Sequence, residues 1–273
     1  MVGGPEPTTA ATRPPFVRDH VVVIGGGCYG SWYTRQLARA VQRGAASFGR
    51  VTVVDREARC RVAGERPLLA ALPLELVVAD WGEYLREWLG AGRRAGGDPG
   101  AGAGTDAEAE MLVPSPLMPH LLLEWLEARA RARWPDRAVG IVPLERATGG
   151  DRPDVPWQRA APDGRHYVSM AEWLCPVNCI EPDRCPATRG ARDWSLPERL
   201  TRWLARAQGG ELPVHGPIIF HCVHRTWGVG MIDVAAIRAA DATVASVAAD
   251  GPVRVLVGTM SHCHGALGVL QVG

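Results

Sequence analysis

The chain has 273 residues, 47% of them apolar, enough to bury one sizeable core or two small ones. Its 30 basic residues balance 29 acidic ones, which removes any bulk electrostatic case for binding nucleic acid or a membrane surface. All 30 are arginine, so chemistry that needs a lysine, such as a PLP Schiff base or the phosphate grip of a P-loop, is excluded.

Residues 1–18 hold four prolines and two glycines and lack the apolar stretch of a secretory signal; they read as a disordered leader. Val21-Val22-Val23-Ile24 is a short β-branched run that ends in three glycines, the pattern of a buried parallel strand. A helix follows, with Tyr29, Tyr33, Leu37 and Ala40 or Val41 on one face and Gly44 as its stop. Val51 to Val54, ending at Asp55, and Leu74 to Ala79 read as the next two strands. Asp80 then caps a short helix, with Glu83 at capping-box spacing.

Gly90 to Glu110, rich in Gly, Ala and acidic residues, reads as a mobile loop. A strand at Met111 to Val113, a helix from about Pro116 and a strand at Val139 to Leu144 complete an alternating series, which predicts a parallel α/β sheet with helices on both faces. Asp151 to Arg192 shows no sustained period and reads as a loop-built, Pro-, Arg- and Cys-rich module. Ser195 opens another capping box ahead of a helix with Leu200, Trp203, Leu204 and Ala207 on one face. Pro217 to Val223 and Val253 to Val257 read as strands flanking a helix from about Ile232 to Val247.

Two motifs carry chemistry. Gly25-Gly26-Gly27-Cys28-Tyr29-Gly30 fits G-x-G-x-x-G between a predicted strand and a predicted helix. At that spacing the first glycine makes the tight turn, the second admits a pyrophosphate and the third packs helix against strand, while the helix N-terminus offers N–H groups. Asp55 ends the next strand, where a carboxylate can accept hydrogen bonds from an adenosine ribose. On these residues the stretch from His20 to Asp55 resembles the NAD(P)-binding Rossmann superfamily. The resemblance implies a dinucleotide held by Gly25, Gly27, Cys28, Tyr29 and Gly30 with Asp55 on the ribose. Asp55 favours NAD over NADP and adjacent Arg56 weakens that preference; FAD uses the same turn, and S-adenosylmethionine proteins a related one. Cys28 and Tyr29 are bulkier than usual beside the phosphates.

The second motif is Cys175-Pro176-Val177-Asn178-Cys179-Ile180-Glu181-Pro182-Asp183-Arg184-Cys185-Pro186, three cysteines stiffened by prolines. Its spacing is neither that of a ferredoxin nor that of a zinc ribbon, but thiolates with Cys-Pro at the end suit an iron–sulfur cluster or zinc. Cys222 and Cys263 are candidates for further ligands. His221, His224, His262 and His264, near neutrality in pKa, are candidate acid–base groups. A redox-active Cys175/Cys179 pair and a loop of merely buried cysteines are the other readings.

Together these predict a leader at 1–18, a Rossmann-like nucleotide-binding domain at 19–150, a cysteine module with a helix at 151–215, and a strand–helix–strand segment at 216–273 completing the sheet. The expected function is that of an NAD(P)-binding oxidoreductase with a thiolate-ligated metal or iron–sulfur centre near the cofactor. It would act on a small-molecule substrate or redox partner. The alternative is a non-catalytic nucleotide-binding regulatory or assembly protein with structural zinc. Seven locally clustered cysteines argue against a disulfide framework, and the longest apolar stretch, Pro67 to Ala79, is too short for a membrane helix; a cytoplasmic location is expected.

Overall fold

A computed structural model describes residues 14–90, 110–175, 179–207 and 212–273. In chain order the strands are β1 (Phe16–Ile24), β2 (Ala46–Asp55), β3 (Leu74–Val78), β4 (Glu110–Val113), β5 (Val139–Val142), β6 (Trp157–Ala160), β7 (His166–Ser169), β8 (Val214–His221), β9 (Val223–Thr226), β10 (Val229–Asp233), β11 (Val253–Met260) and β12 (His264–Val272). The helices are α1 (Cys28–Gln42), α2 (Arg61–Gly64), α3 (Trp81–Gly90), α4 (Leu121–Arg133), α5 (Leu144–Thr148), α6 (Leu196–Leu204) and α7 (Val234–Val247).

The chain is mixed α/β, and its described residues build two six-stranded sheets where the sequence predicts one. The first runs β3-β2-β1-β4-β10-β9. Its first four strands are parallel, while β10 and β9 are antiparallel to their neighbours. The second runs β6-β7-β12-β11-β8, with β5 also paired to β12; only β8 and β11 are parallel in it. The C-terminal segment therefore divides: β9 and β10 extend the first sheet, and β8, β11 and β12 belong to the second.

Side chains alternate across each sheet, and this sets five layers. On β1, Val21 and Val23 face a core shared with Leu37, Ala38 and Leu69, covered by α1 and α2. Val22 and Ile24 face the opposite way into a central core, with Leu85 of α3, Leu122 and Leu126 of α4 and Ile237 of α7. The same core takes Val253, Val255 and Val257 from β11, so α3, α4 and α7 lie between the sheets. Leu256 and Met260 point outward to Leu144, Leu196, Leu200 and Trp203 of α5 and α6.

Several local expectations shift. Phe16 to Arg18, read with the leader, are the first residues of β1, whose register with β2 begins at Phe16 opposite Ala46. The helix expected from Pro116 begins at Leu121, because two prolines at 116 and 119 hold the approach in turns. The module read as loop contains the hairpin β6–β7, turned by Asp163 and Gly164, the latter at φ 83°. Asp80 caps α3 as expected, its Oδ1 accepting N–H bonds from Gly82 (2.9 Å) and Glu83 (3.2 Å). Ser195 precedes α6 but makes no capping bond; its Oγ lies 3.4 Å from Nδ1 of His262. The mobile loop expected at Gly90 to Glu110 falls, but for its ends, outside the described residues. Among the described residues no helix is long and apolar enough to cross a membrane.

Candidate functional site

The chain leaves the C-terminal end of β1 at Ile24 and turns at Gly25, whose φ of 87° is open to glycine at little cost. Gly26 N–H donates to Oδ2 of Asp55 at 2.5 Å, and Glu57 N–H to Oδ1 at 2.9 Å, so the carboxylate ties the end of β2 to the turn. Helix α1 opens at Gly27 without a side-chain cap and with no acidic residue in its first turn. Its first internal bond is Ser31 N–H to Gly27 O at 2.9 Å, which leaves the N–H groups of Cys28, Tyr29 and Gly30 without helical partners. A Cβ on Gly30 would fall 1.8 Å from the Gly25 carbonyl oxygen, so only glycine lets the helix start this close to the strand. Gly27 has nothing within 4 Å of its Cβ position.

These residues line a cavity of about 400 Å³. Gly25, Gly27, Cys28, Tyr29, Gly30 and Asp55 all reach it, together with Arg61, Trp81, Ser115 and Leu117. Arg56, adjacent to Asp55, is engaged elsewhere: it bonds Asp80 at 2.6 Å and lies over the Trp81 ring, 5.3 Å from the centroid.

A second cavity, of about 550 Å³, shares the Ser115 and Leu117 wall with the first. It is lined by Tyr33 of α1, the segment after β4, Cys175 and Cys179, Glu181, Cys222 and His224 at the β8–β9 junction, and Met260, Ser261 and His264 at the β11–β12 turn. The structure thus brings together two of the three module cysteines, one of the two further cysteines and two of the four candidate histidines.

The other expected residues lie outside it. Cys185 is buried within its own turn, its N–H donating to Gly190 O at 2.9 Å. The Thr188 backbone N–H beside its sulfur, opposed by desolvation, holds that thiol below the ordinary range. Cys263 is buried with its Sγ accepting from Nε1 of Trp194 at 3.3 Å. His221 and His262 pack ring against ring, centroids 4.6 Å apart. Among the described residues no three His, Cys, Asp or Glu side chains are grouped closely enough to hold a metal ion. The donors lining the second cavity, three thiols and two imidazoles, nonetheless have the chemistry of a soft-metal site.

Sequence reasoning missed two residues. Glu181 stands at φ 50°, a conformation rarely adopted by a side-chain-bearing residue. Its carboxylate accepts from Ser261 Oγ, from His262 N–H at 2.9 Å and from Cys263 N–H at 3.2 Å, so one side chain holds the whole β11–β12 turn. Burial pushes this carboxyl up, but the Ser261 and His262 bonds outweigh it and hold it below the ordinary range. Ser169 fixes His264. Its hydroxyl donates to Ala171 O at 2.7 Å, so toward His264 Nδ1, at 2.9 Å, it accepts. His264 thereby carries its proton on Nδ1 and its lone pair on Nε2. Neither residue had a local signal, because both partners come from distant chain.

Burial dominates the remaining titrations. It lowers His224 and His264, which stay neutral at pH 7, and drives the Cys222 thiol up to about 12 with help from the Glu181 charge. Tyr33 is likewise pushed up to about 12 by burial and by Cys222.

A family model described as "Uncharacterized protein, C-terminal domain", AF_1314_C, matches residues 122–273, from α4 to the end of β12. Searches among curated proteins and among solved structures give no match. The matched stretch is more than half of the chain and carries every cysteine and histidine of the second cavity, with the glycine turn outside it. The chain belongs to the AF_1314_C family.

Proposed function

We propose that the chain binds a dinucleotide, NAD in preference to NADP, and acts as an oxidoreductase on a small molecule seated in the cysteine- and histidine-lined cavity. The observation that carries this reading is the common wall of the two cavities at Ser115 and Leu117, immediately beyond the C-terminal end of β4. In open α/β sheets ligands bind outside the carboxyl ends of the strands, where the strand order reverses. Here β1 leads by α1 to β2 on one side, while β4 lies on the other, and both cavities open beside this divide. The parallel order β3-β2-β1-β4 is that of the first four strands of a Rossmann domain and supports the same reading.

The residues present fit such a cofactor. The unpartnered N–H groups at the start of α1 suit its phosphates, and the absence of an acidic residue there removes a repulsive charge. Asp55 retains lone pairs for a ribose beyond the two N–H bonds it accepts, since a carboxylate takes about four. Arg56, held by Asp80 and Trp81, is not free to grip a 2′-phosphate, which strengthens the preference for NAD. When bound, the oxidised nicotinamide supplies a hydride acceptor. Across the common wall the neutral imidazole of His224 lines the second cavity and can take a substrate O–H proton.

Quenching of intrinsic fluorescence by NADH tests the reading, since the Trp81 ring lies over the turn, 3.4 Å from the Cβ position of Gly25. Saturable quenching is expected, weaker with NADPH and largely lost in Trp81→Phe, with affinity retained by calorimetry. Folded protein that binds neither NADH nor NAD⁺ would overturn it.

A further inference from the structure

His264 has the supporting geometry of a metal-binding imidazole. Histidines that ligate metals nearly always donate their other ring N–H to an oxygen acceptor, which fixes the tautomer and aims the free nitrogen. Ser169 does this here through Nδ1, and it is itself immobilised by Ala171, whose N–H donates to its Oγ at 2.9 Å. His264 lines a cavity whose other donors are soft: the thiols of Cys175, Cys179 and Cys222 and the imidazole of His224. The sulfur of Cys179 accepts the N–H of Glu181 at 3.4 Å, the kind of N–H···S contact that stabilises a coordinating thiolate.

We propose that this cavity is a site for one thiophilic divalent cation of the zinc type, held by Cys175, Cys179, Cys222 and His264. The ligand set differs from the one the sequence suggests: His264 enters it, and Cys185 and Cys263, buried outside the cavity, leave it. Because the donors are not yet grouped at ligand spacing, binding draws the walls together. As three Cys Sγ–metal bonds form, three S–H bonds break and about three protons pass to solvent per ion. The site stands independently of the dinucleotide reading, since it shares with the turn only the Ser115 and Leu117 wall.

Alkylation of the intact, reduced protein with iodoacetamide, read cysteine by cysteine by mass spectrometry with and without Zn²⁺, tests it without any variant. Zn²⁺ should lower labelling of both Cys175 and Cys179 at least about tenfold, leave exposed Cys28 unchanged and release protons to a pH indicator. His264→Gln should abolish protection at stoichiometric Zn²⁺, and Ser169→Ala should weaken Zn²⁺ affinity by about 10–100-fold. Equal labelling of Cys175 and Cys179 with and without saturating Zn²⁺ overturns the proposal, as does full protection in His264→Gln. Neither result touches NADH binding, so failure of this site and failure of the dinucleotide reading are distinguishable.

Discussion

Gly27 and Gly30 separate the proposed dinucleotide binding from folding. In Gly30→Ala the new methyl carbon lies 1.8 Å from the Gly25 carbonyl oxygen and 2.8 Å from its carbon, both backbone atoms that cannot rotate aside. Relief requires α1 to withdraw from β1, an overpacking that costs about 3 kcal/mol or more, offset by up to about 1 kcal/mol of helix propensity gained over glycine. The net loss, about 2–3 kcal/mol, corresponds to a fall in Tm of roughly 4–12 °C. In Gly27→Ala the methyl meets nothing within 4 Å and φ is already −76°, so stability changes by less than about 1 kcal/mol. That methyl instead occupies the approach to the free N–H groups, and NADH affinity should fall at least about tenfold, or 1.4 kcal/mol. Thermal denaturation and calorimetric titration of both variants give the two numbers. A Gly27→Ala protein with NADH affinity within twofold of the parent refutes phosphate binding at the turn. A Gly30→Ala protein of unchanged Tm refutes the packing argument.

Asp55→Asn keeps one acceptor oxygen and loses the other, so the Gly26 or Glu57 N–H goes unpaired; stability should fall by about 1 kcal/mol and NADH affinity with it, as calorimetry would register. Glu181→Gln likewise satisfies fewer of its three donors and should cost about 1–3 kcal/mol in chemical denaturation; a change below about 0.5 kcal/mol would show that the β11–β12 turn holds itself. Asp241 on α7 accepts from Arg129 (2.8 Å) and Arg133 (3.0 Å) on α4; burial raises its carboxyl, but these partners outweigh it and hold it below the ordinary range. Its folded pKa is depressed, so its contribution is complete above the unfolded value of about 3.9 and disappears as pH falls through the folded one. Asp241→Asn should cost about 2 kcal/mol at pH 7, discounted for the part-exposed arginines, and the gap from the parent should narrow as pH falls below the ordinary carboxylate range; a gap independent of pH would contradict the assignment.

The glycine turn was legible because its causes are local. A β-branched run, glycines at fixed offsets and an aspartate at the next strand's end act within a few dozen residues, and β1, α1 and β2 lie where the pattern puts them. Strand β12 was not legible: Gly265 and Gly268 weaken its pattern, and their purpose, room for Met260 and Leu123 at 2.4 and 2.3 Å from a Cβ, exists only in the packed protein. The hairpin β6–β7 did carry a signal, Pro162-Asp163-Gly164, overshadowed by the cysteine-rich stretch that follows.

What the linear chain decided for itself is therefore a parallel strand–helix–strand start with a glycine turn, and an inventory of seven thiols and eight imidazoles. Which of those groups share a cavity was decided by strand pairing, which brings β7 beside β12 and the cysteine loop against the β11–β12 turn. Ser169 meets His264 across 95 residues and Glu181 meets Ser261 across 80. Contacts at such separation leave no periodicity in the sequence, because they arise from two sheets burying their apolar faces on shared helices, and the polar groups at the strand ends are carried along.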